Sequence, residues 1–293
     1  MIKITECPRD AMQGIKDLIP TELKIDYINQ LLKVGFDKLD FGSFVSPKAI
    51  PQMHDTANVL DALDLSSGNT QLLAIIANAR GAQDACAFAE IDYLGFPFSI
   101  SETFQQRNTN SSIEESLLRV EEIQRLCIRN KKKLLVYISM AFGNPYGDKW
   151  HPEIALEWCL KLKSMGIKHL ALADTTGSSN PESISQLFKL ILPETTGISL
   201  AAHLHATKDQ SQAKIEAAYN SGCRLFDTAI HGFGGCPMAA DELTGNMATE
   251  DLLAFMDQNK IKYDLKQNEL NKALTDSWEI FNKYHWEILN DKF

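Results

Sequence analysis

Short runs of β-branched and apolar residues alternate along the chain with longer stretches whose apolar positions recur at helical spacing. The short runs predict strands near residues 2–6, 38–41, 71–76, 91–96, 134–139, 169–173, 198–203 and 225–229. In the longer stretches Leu23, Tyr27, Ile28, Leu31 and Leu32 fall on one helix face, opened by Pro20 and a capping Thr21. Ser112 and Glu115 form a capping box ahead of Leu117, Leu118, Val120 and Ile123. Pro181 opens another helix carrying Ile184, Leu187, Leu190 and Ile191.

Eight strands, each followed by a helix at intervals of about 30 residues, predict an α/β fold of the (β/α)8 TIM-barrel type. A doubly wound sheet is the alternative, but no G-x-G-x-x-G follows the first strand. With no linker, low-complexity tract or repeat, residues 1–293 read as a single domain. Residues 264–293 form a C-terminal helical extension, with Leu270, Leu274, Trp278, Phe281 and His285 at helical spacing, packed on the barrel or on a second subunit. Barrels present their chemistry at the C-terminal ends of the strands. Lys48, Arg107, Lys149 and Lys208 follow strands and share that mouth, whereas the basic run at 129–133 precedes one and lies at the opposite end.

Composition narrows the partners. The chain has 293 residues, 44% hydrophobic and 23% charged, ordinary values for a globular protein. Its 29 Lys+Arg against 38 Asp+Glu leave a net charge of −9, which argues against nucleic acid or a membrane surface as partner. A small anion needs only local cations. No apolar run approaches the roughly 20 residues that span a bilayer, and the N-terminus lacks the apolar core of a secretory signal. Six widely spaced cysteines without a CxxC pair read as reduced thiols in the cytoplasm.

The sharpest chemical signal is "AAHLHATKD". His203 and His205 stand two apart at a strand end, so both rings point the same way. The plain alternative is a pair of half-exposed strand histidines. Asp10 is read as ending the first strand, which lies one strand away from the seventh in a closed barrel, so the three side chains can meet. Two imidazoles, a carboxylate and an amide suit Mg2+ or Mn2+ ahead of Zn2+. Asn246 offers a neutral oxygen as a fourth ligand, or else caps the last barrel helix. Arg9 brings a permanent cation that can hold an oxyanion, against the alternative of a structural ion pair. Gln13 is a supporting donor or a loop residue. Asp174, ending the sixth strand, holds a substrate hydroxyl or a histidine, or caps its loop. Beyond the eighth strand, Gly232, Gly234 and Gly235 precede Cys236, a thiol on a bending loop whose pKa would fall near a cation.

"PRDAMQG", "SFVSPKAIPQM", "NSSIEES", "LADTTG", "AHLHAT", "GFGGCP" and "GNMATEDLL", in that order over roughly residues 2 to 256, resemble the 3-hydroxy-3-methylglutaryl-CoA lyase family. These metal-dependent barrel lyases are related to Claisen-condensing enzymes. The resemblance implies metal ligands at Asp10, His203, His205 and Asn246, a catalytic arginine at Arg9, a loop thiol at Cys236 and a catalytic aspartate at Asp174. It makes Lys48 a contact for an anionic acyl-CoA group. A retro-Claisen cleavage is the implied reaction, and a homodimer the expected assembly. The closest competitor is cleavage of a related 3-hydroxy-3-alkyl acyl-CoA. Condensation or aldol chemistry, or a degenerate barrel, follow. The chain departs from the family at Asp40, where a glutamate is typical at the end of strand two. Ala206 stands where an acid or amide is usual, and Asn144 where a cysteine is common. The loop from 236 to 246 is about one residue longer.

Overall fold

The computed structural model describes residues 1–235 and 244–284. Eight strands, β1 (Lys3–Glu6), β2 (Lys38–Ser43), β3 (Gln71–Ile75), β4 (Ile91–Ser99), β5 (Lys133–Ser139), β6 (His169–Ala173), β7 (Ser199–His203) and β8 (Leu225–Thr228), close into a barrel in sequence order. Every neighbouring pair is parallel, including β1 with β8. The helices are α1 (Pro8–Gln13), α2 (Thr21–Val34), α3 (Thr56–Asp61), α4 (Ala79–Cys86), α5 (Glu102–Thr109) and α6 (Ile113–Arg129), then α7 (Pro152–Ser164), α8 (Pro181–Glu194), α9 (Lys208–Asn220), α10 (Thr249–Gln258) and α11 (Gln267–Lys283).

The strands read as continuous apolar runs because both of their faces are covered. Outward positions such as Leu72, Leu94, Val136 and Leu170 pack under the helices. Inward positions make a separate small cluster of Leu73, Ile75, Tyr93, Leu135, Tyr137, Ala171 and Ala201. Register then builds the polar layer above it. Ala171 lies beside Ala201, and two residues further along β7 His203 pairs with Ala173 on one side and Asp227 on the other. The inward-facing apolar plug thus gives way to a ring of ionisable groups at the C-terminal mouth.

Several local expectations change. Pro20, not Thr21, is the N-cap of α2, and the Thr21 hydroxyl instead donates to Asp55 Oδ2 at 2.8 Å. The capping box of α6 is present, with Glu115 N–H to Ser112 Oγ at 3.1 Å and Ser112 N–H to Glu115 Oε2 at 2.9 Å. The extension is represented by α11, which lies along α2 through an edge contact of Tyr27 with Phe281 and through Gln30 Nε2 to Glu269 O at 2.9 Å. Its buried stripe is Leu270, Ala273, Ser277, Ile280 and Phe281, while Trp278 is half exposed. His285 lies outside the described residues. No helix of the described residues is long and apolar enough to cross a membrane.

His231, at the exit of β8, fastens α11 to the mouth. Its Nδ1 sits 2.8 Å from Glu250 Oε1 and its Nε2 3.0 Å from Leu274 O. Both partners only accept, so the doubly bonded ring is an imidazolium. Burial pulls the His231 pKa down, but the bonds to Glu250 and Leu274 outweigh it and the net shift is upward. Protonation therefore stabilises the fold below the ordinary histidine pKa of about 6.5, and that share is lost as pH rises through the higher folded value. Glu250, held below its ordinary value mainly by His231 against burial, loses its share only as pH falls. We expect amide-exchange protection of α11 to drop as pH is raised above the ordinary histidine value, and the drop to vanish in His231→Gln. Identical pH profiles in the two proteins would remove this role.

Candidate active site and metal centre

The opening segment does not place Asp10 at a strand end. β1 stops at Glu6, and the six residues Pro8–Gln13 form a short helix whose first helical position is taken by Pro8, where the missing N–H costs nothing. That turn points Arg9, Asp10 and Gln13 into the mouth together. Arg9 Nη1 donates to Asp10 Oδ1 and to Gln13 Oε1, both at 2.8 Å, and Gln13 Nε2 donates to Asp10 Oδ1 at 2.7 Å. Gln13 is therefore a direct partner of both charged groups.

Asp40 also differs from expectation. β2 runs on to Ser43, so Asp40 lies inside the strand, 1% exposed, and grips Arg9 from below. Nη2 donates to Oδ2 at 2.5 Å, and Nε lies 3.2 and 3.1 Å from Oδ1 and Oδ2. Burial lifts the Asp40 pKa to about 6 against the pull of Arg9, which leaves it ionised at neutral pH. Burial lowers Arg9, but Asp40 and Asp10 outweigh it and keep the guanidinium charged. Because this short carboxylate already spans Nε and Nη2, its missing methylene is no handicap at the contact. Asp40→Glu should overpack the strand, costing about 1–3 kcal/mol of stability without a gain in turnover. A faster and equally stable variant would contradict this.

His203, His205 and Asp10 converge: each offers one ligand atom, and these atoms lie within 4.8 Å of one another. Among the described residues this is the one such cluster. The two rings are 5.4 Å apart. Both nitrogens of His205 are buried without a hydrogen-bond partner, which leaves buried polar atoms at a cost of about 1–3 kcal/mol each. Burial, then the neighbouring His203, pulls the His205 pKa down to about 4, so the ring is neutral and carries a lone pair. Burial raises Asp10, but Arg9 and the two histidines overcome it and keep it ionised. A neutral imidazole with unpaired nitrogens beside a carboxylate is a donor set that fits a divalent cation.

Asn246 arrives from the far side, bridged to His205. Its Nδ2 donates to Asp10 Oδ2 at 2.7 Å and to Phe233 O at 2.9 Å, so its N–H end, not its oxygen, meets Asp10. It is not the helix N-cap, a position Ala248 takes at α10, and the bonds of Nδ2 leave Oδ1 as its remaining donor atom. Gly234 explains how the loop gets so close. It has φ +98, and a Cβ there would meet Asn246 Nδ2 at 2.5 Å and Asp10 O at 2.8 Å.

Asp174 follows β6 as expected, but its carboxylate is committed. It accepts from Ser179 N at 3.1 Å, from Ser179 Oγ at 2.5 Å and from the buried Lys214 Nζ at 3.0 Å. Lys214 also donates to His205 O at 2.8 Å, so this pair shapes the turn that carries His205. Lys48 is exposed on the segment after β2. Cys236 lies outside the described residues.

Two groups escaped the sequence reading. Asp227, inside β8, puts Oδ2 3.3 Å from His203 Nδ1. Tyr137 packs edge-on against the same ring at 5.4 Å, its hydroxyl buried. Burial lowers His203, yet Asp227 and Asp10 outweigh it and the ring is more basic than usual. Asp227 lies inside β8 with no motif around it, and only the register that sets it beside His203 marks it out. A cavity of about 240 Å3 opens over Arg9, Asp10, His203 and His205, with Val45, Ile75 and Phe104 among its apolar walls.

Comparison with known proteins identifies the family. The HMGL-like family model matches residues 2–276. The cytoplasmic 3-hydroxy-3-methylglutaryl-CoA lyase of Rattus norvegicus is 35% identical over 256 residues, 87% of this chain and 74% of the relative. A hydroxymethylglutaryl-CoA lyase of Bacillus subtilis is 33% identical over 266 residues, 91% of this chain and 88% of its own. Among solved structures, an HMG-CoA lyase from Acinetobacter baumannii, in complex with coenzyme A and 3-methylmalate, superposes with a TM-score of 0.89 at 30% identity, covering 96% of this chain and 92% of that one.

Proposed function

The chain belongs to the HMGL-like family, and from that premise we propose that it cleaves 3-hydroxy-3-methylglutaryl-CoA to acetoacetate and acetyl-CoA. The observation that carries the reading is the convergence of Asp10, His203 and His205 beside Arg9 under one cavity. Asp10, His203 and His205 would hold the cation, Mg2+ or Mn2+ by donor type, with Asn246 steadying Asp10. The cation would supply Lewis-acid polarisation of the substrate hydroxyl and carboxylate.

The chain's own residues supply the rest. Retro-Claisen cleavage removes the proton of the tertiary hydroxyl, breaks the adjacent C–C bond and leaves charge on the thioester oxygen. Arg9 spends Nε and one Nη2–H on Asp40 and its Nη1 on Asp10 and Gln13, so the remaining Nη2–H is available to that oxygen. With Asp40 beneath it, the guanidinium is held rigid before substrate arrives. Asp174 is tied to Lys214 and does not line the cavity, and both imidazoles are assigned to the cation, so the hydroxyl proton would pass to a water in the cavity. Cys236 is assigned the proton delivered to the leaving carbon, the role the family resemblance implies for the thiol that follows this glycine-rich run. An exposed Lys48 on the same rim suits the anionic CoA moiety.

Five described cysteines are free thiols, which supports a reducing compartment, the cytosol. The assembly is proposed as a homodimer, to be read by sedimentation. A second reading, a larger 3-alkyl branch, is favoured by the apolar wall of Val45, Ile75 and Phe104. An acyl-CoA screen with Mg2+ and Mn2+, products identified by mass, decides between them. Acetoacetate and acetyl-CoA are the expected products. Release of CoA only when acetyl-CoA and a keto acid are supplied would instead assign condensation.

A further inference from the structure

Asp227 is a buried carboxylate with an incomplete set of partners. Its side chain is 1% exposed, and neither oxygen has a hydrogen-bond partner of good geometry. No lysine or arginine among the described residues pairs with it. Arg9 is committed to Asp40 and Asp10, and Lys214 to Asp174. A carboxylate kept in such a place needs a compensating donor, because an unpaired buried charge costs several kcal/mol. The donor the fold provides is the ring of His203. Parallel pairing sets His203 directly opposite Asp227, with Nδ1 3.3 Å from Oδ2, and that nitrogen is itself buried with no other partner. The ring of Tyr137 stands nearly perpendicular to that of His203, centroids 5.4 Å apart.

We propose that Asp227 is a positioning residue: it keeps a proton on His203 Nδ1 and fixes the ring, so that Nε2 is the nitrogen bearing the lone pair. An imidazole has two tautomers, and only one nitrogen of the neutral ring can act as a ligand or base. A carboxylate behind the ring selects one of them and restrains rotation, as outer partners do for ligating histidines generally. His205 has no such acid behind it, which makes the two imidazoles unequal although they stand two residues apart. This assignment deepens the proposed metal-dependent lyase reading and rests on it for its consequence, but not for the tautomer itself.

Two measurements test it. In the metal-free chain, at a pH alkaline enough for the 15N shifts to show a neutral ring, His203 should be protonated on Nδ1. The same spectrum of Asp227→Asn should show a shift toward the Nε2-protonated form. Second, Mn2+ binding followed by electron paramagnetic resonance should weaken by about 10- to 100-fold in Asp227→Asn. It should weaken no further when Asp227→Asn is added to His203→Ala, a coupling that a purely structural role would not give. An Nε2 proton in the wild-type ring overturns the proposal without any variant. Unchanged Mn2+ affinity in a folded Asp227→Asn overturns it while leaving the metal reading intact. Absence of Mn2+ binding by the wild type sinks that metal reading, and the 15N spectrum then decides Asp227 alone.

Discussion

Arg9→Ala lowers kcat/KM for the cleaved acyl-CoA by about 100- to 1,000-fold, the scale of losing one oxyanion donor, while Mn2+ still binds. The same substitution also strips Asp40 of its cation. Asp40 is 1% exposed and grips Arg9 through Nε and Nη2, so an orphaned carboxylate costs about 3–5 kcal/mol. A rate loss caused by unfolding and one caused by chemistry must therefore be separated. Arg9→Leu combined with Asp40→Leu removes both charges and should recover most of the melting temperature with none of the activity. Arg9→Lys keeps the charge but not the planar fork, and should stay folded and slow. Wild-type turnover in a folded Arg9→Ala or Arg9→Lys protein would refute the assignment.

His205→Ala carries the second large effect. The wild-type ring is buried with both nitrogens unpartnered, a cost that ligation would offset. Saturating Mn2+ should accordingly stabilise the wild type, by about 2.7 kcal/mol at 100 times its dissociation constant. In His205→Ala, losing a direct ligand should weaken Mn2+ binding by more than the roughly 10- to 100-fold typical of an outer partner. The Mn2+-dependent rise in melting temperature should then disappear, while the metal-free variant stays close to wild type because two unpaired nitrogens have gone. A variant stabilised by Mn2+ as strongly as the wild type would place the cation elsewhere.

The barrel was legible because its strands are buried on both faces and its helices on one, so period and apolar runs mark them directly. Strand bounds differ from the expected ones by at most one residue, except that β2 and β4 run on past the expected ends at Phe41 and Phe96 to Ser43 and Ser99. Helix α1 was not legible, since six residues with Arg9, Asp10 and Gln13 among them have no apolar period to betray a helix. Its existence is what turns Arg9 and Asp10 inward together. The H-x-H pair was readable from two-residue spacing, and its meeting with Asp10 from barrel closure. Contacts between distant positions were not readable. Asp40 meets Arg9 across 31 residues and Lys214 meets Asp174 across 40, and nothing local distinguishes a buried helix lysine from a solvated one. Asp227 was overlooked because an acid inside an apolar strand has no motif around it, only a neighbour across the sheet.

Crystals of the chain grown with Mn2+, with diffraction collected at the manganese edge, test the central assignment most directly. We expect a single strong anomalous peak within bonding distance of Asp10, His203 and His205. A map with no peak there, or with the ion held by other side chains, would contradict it.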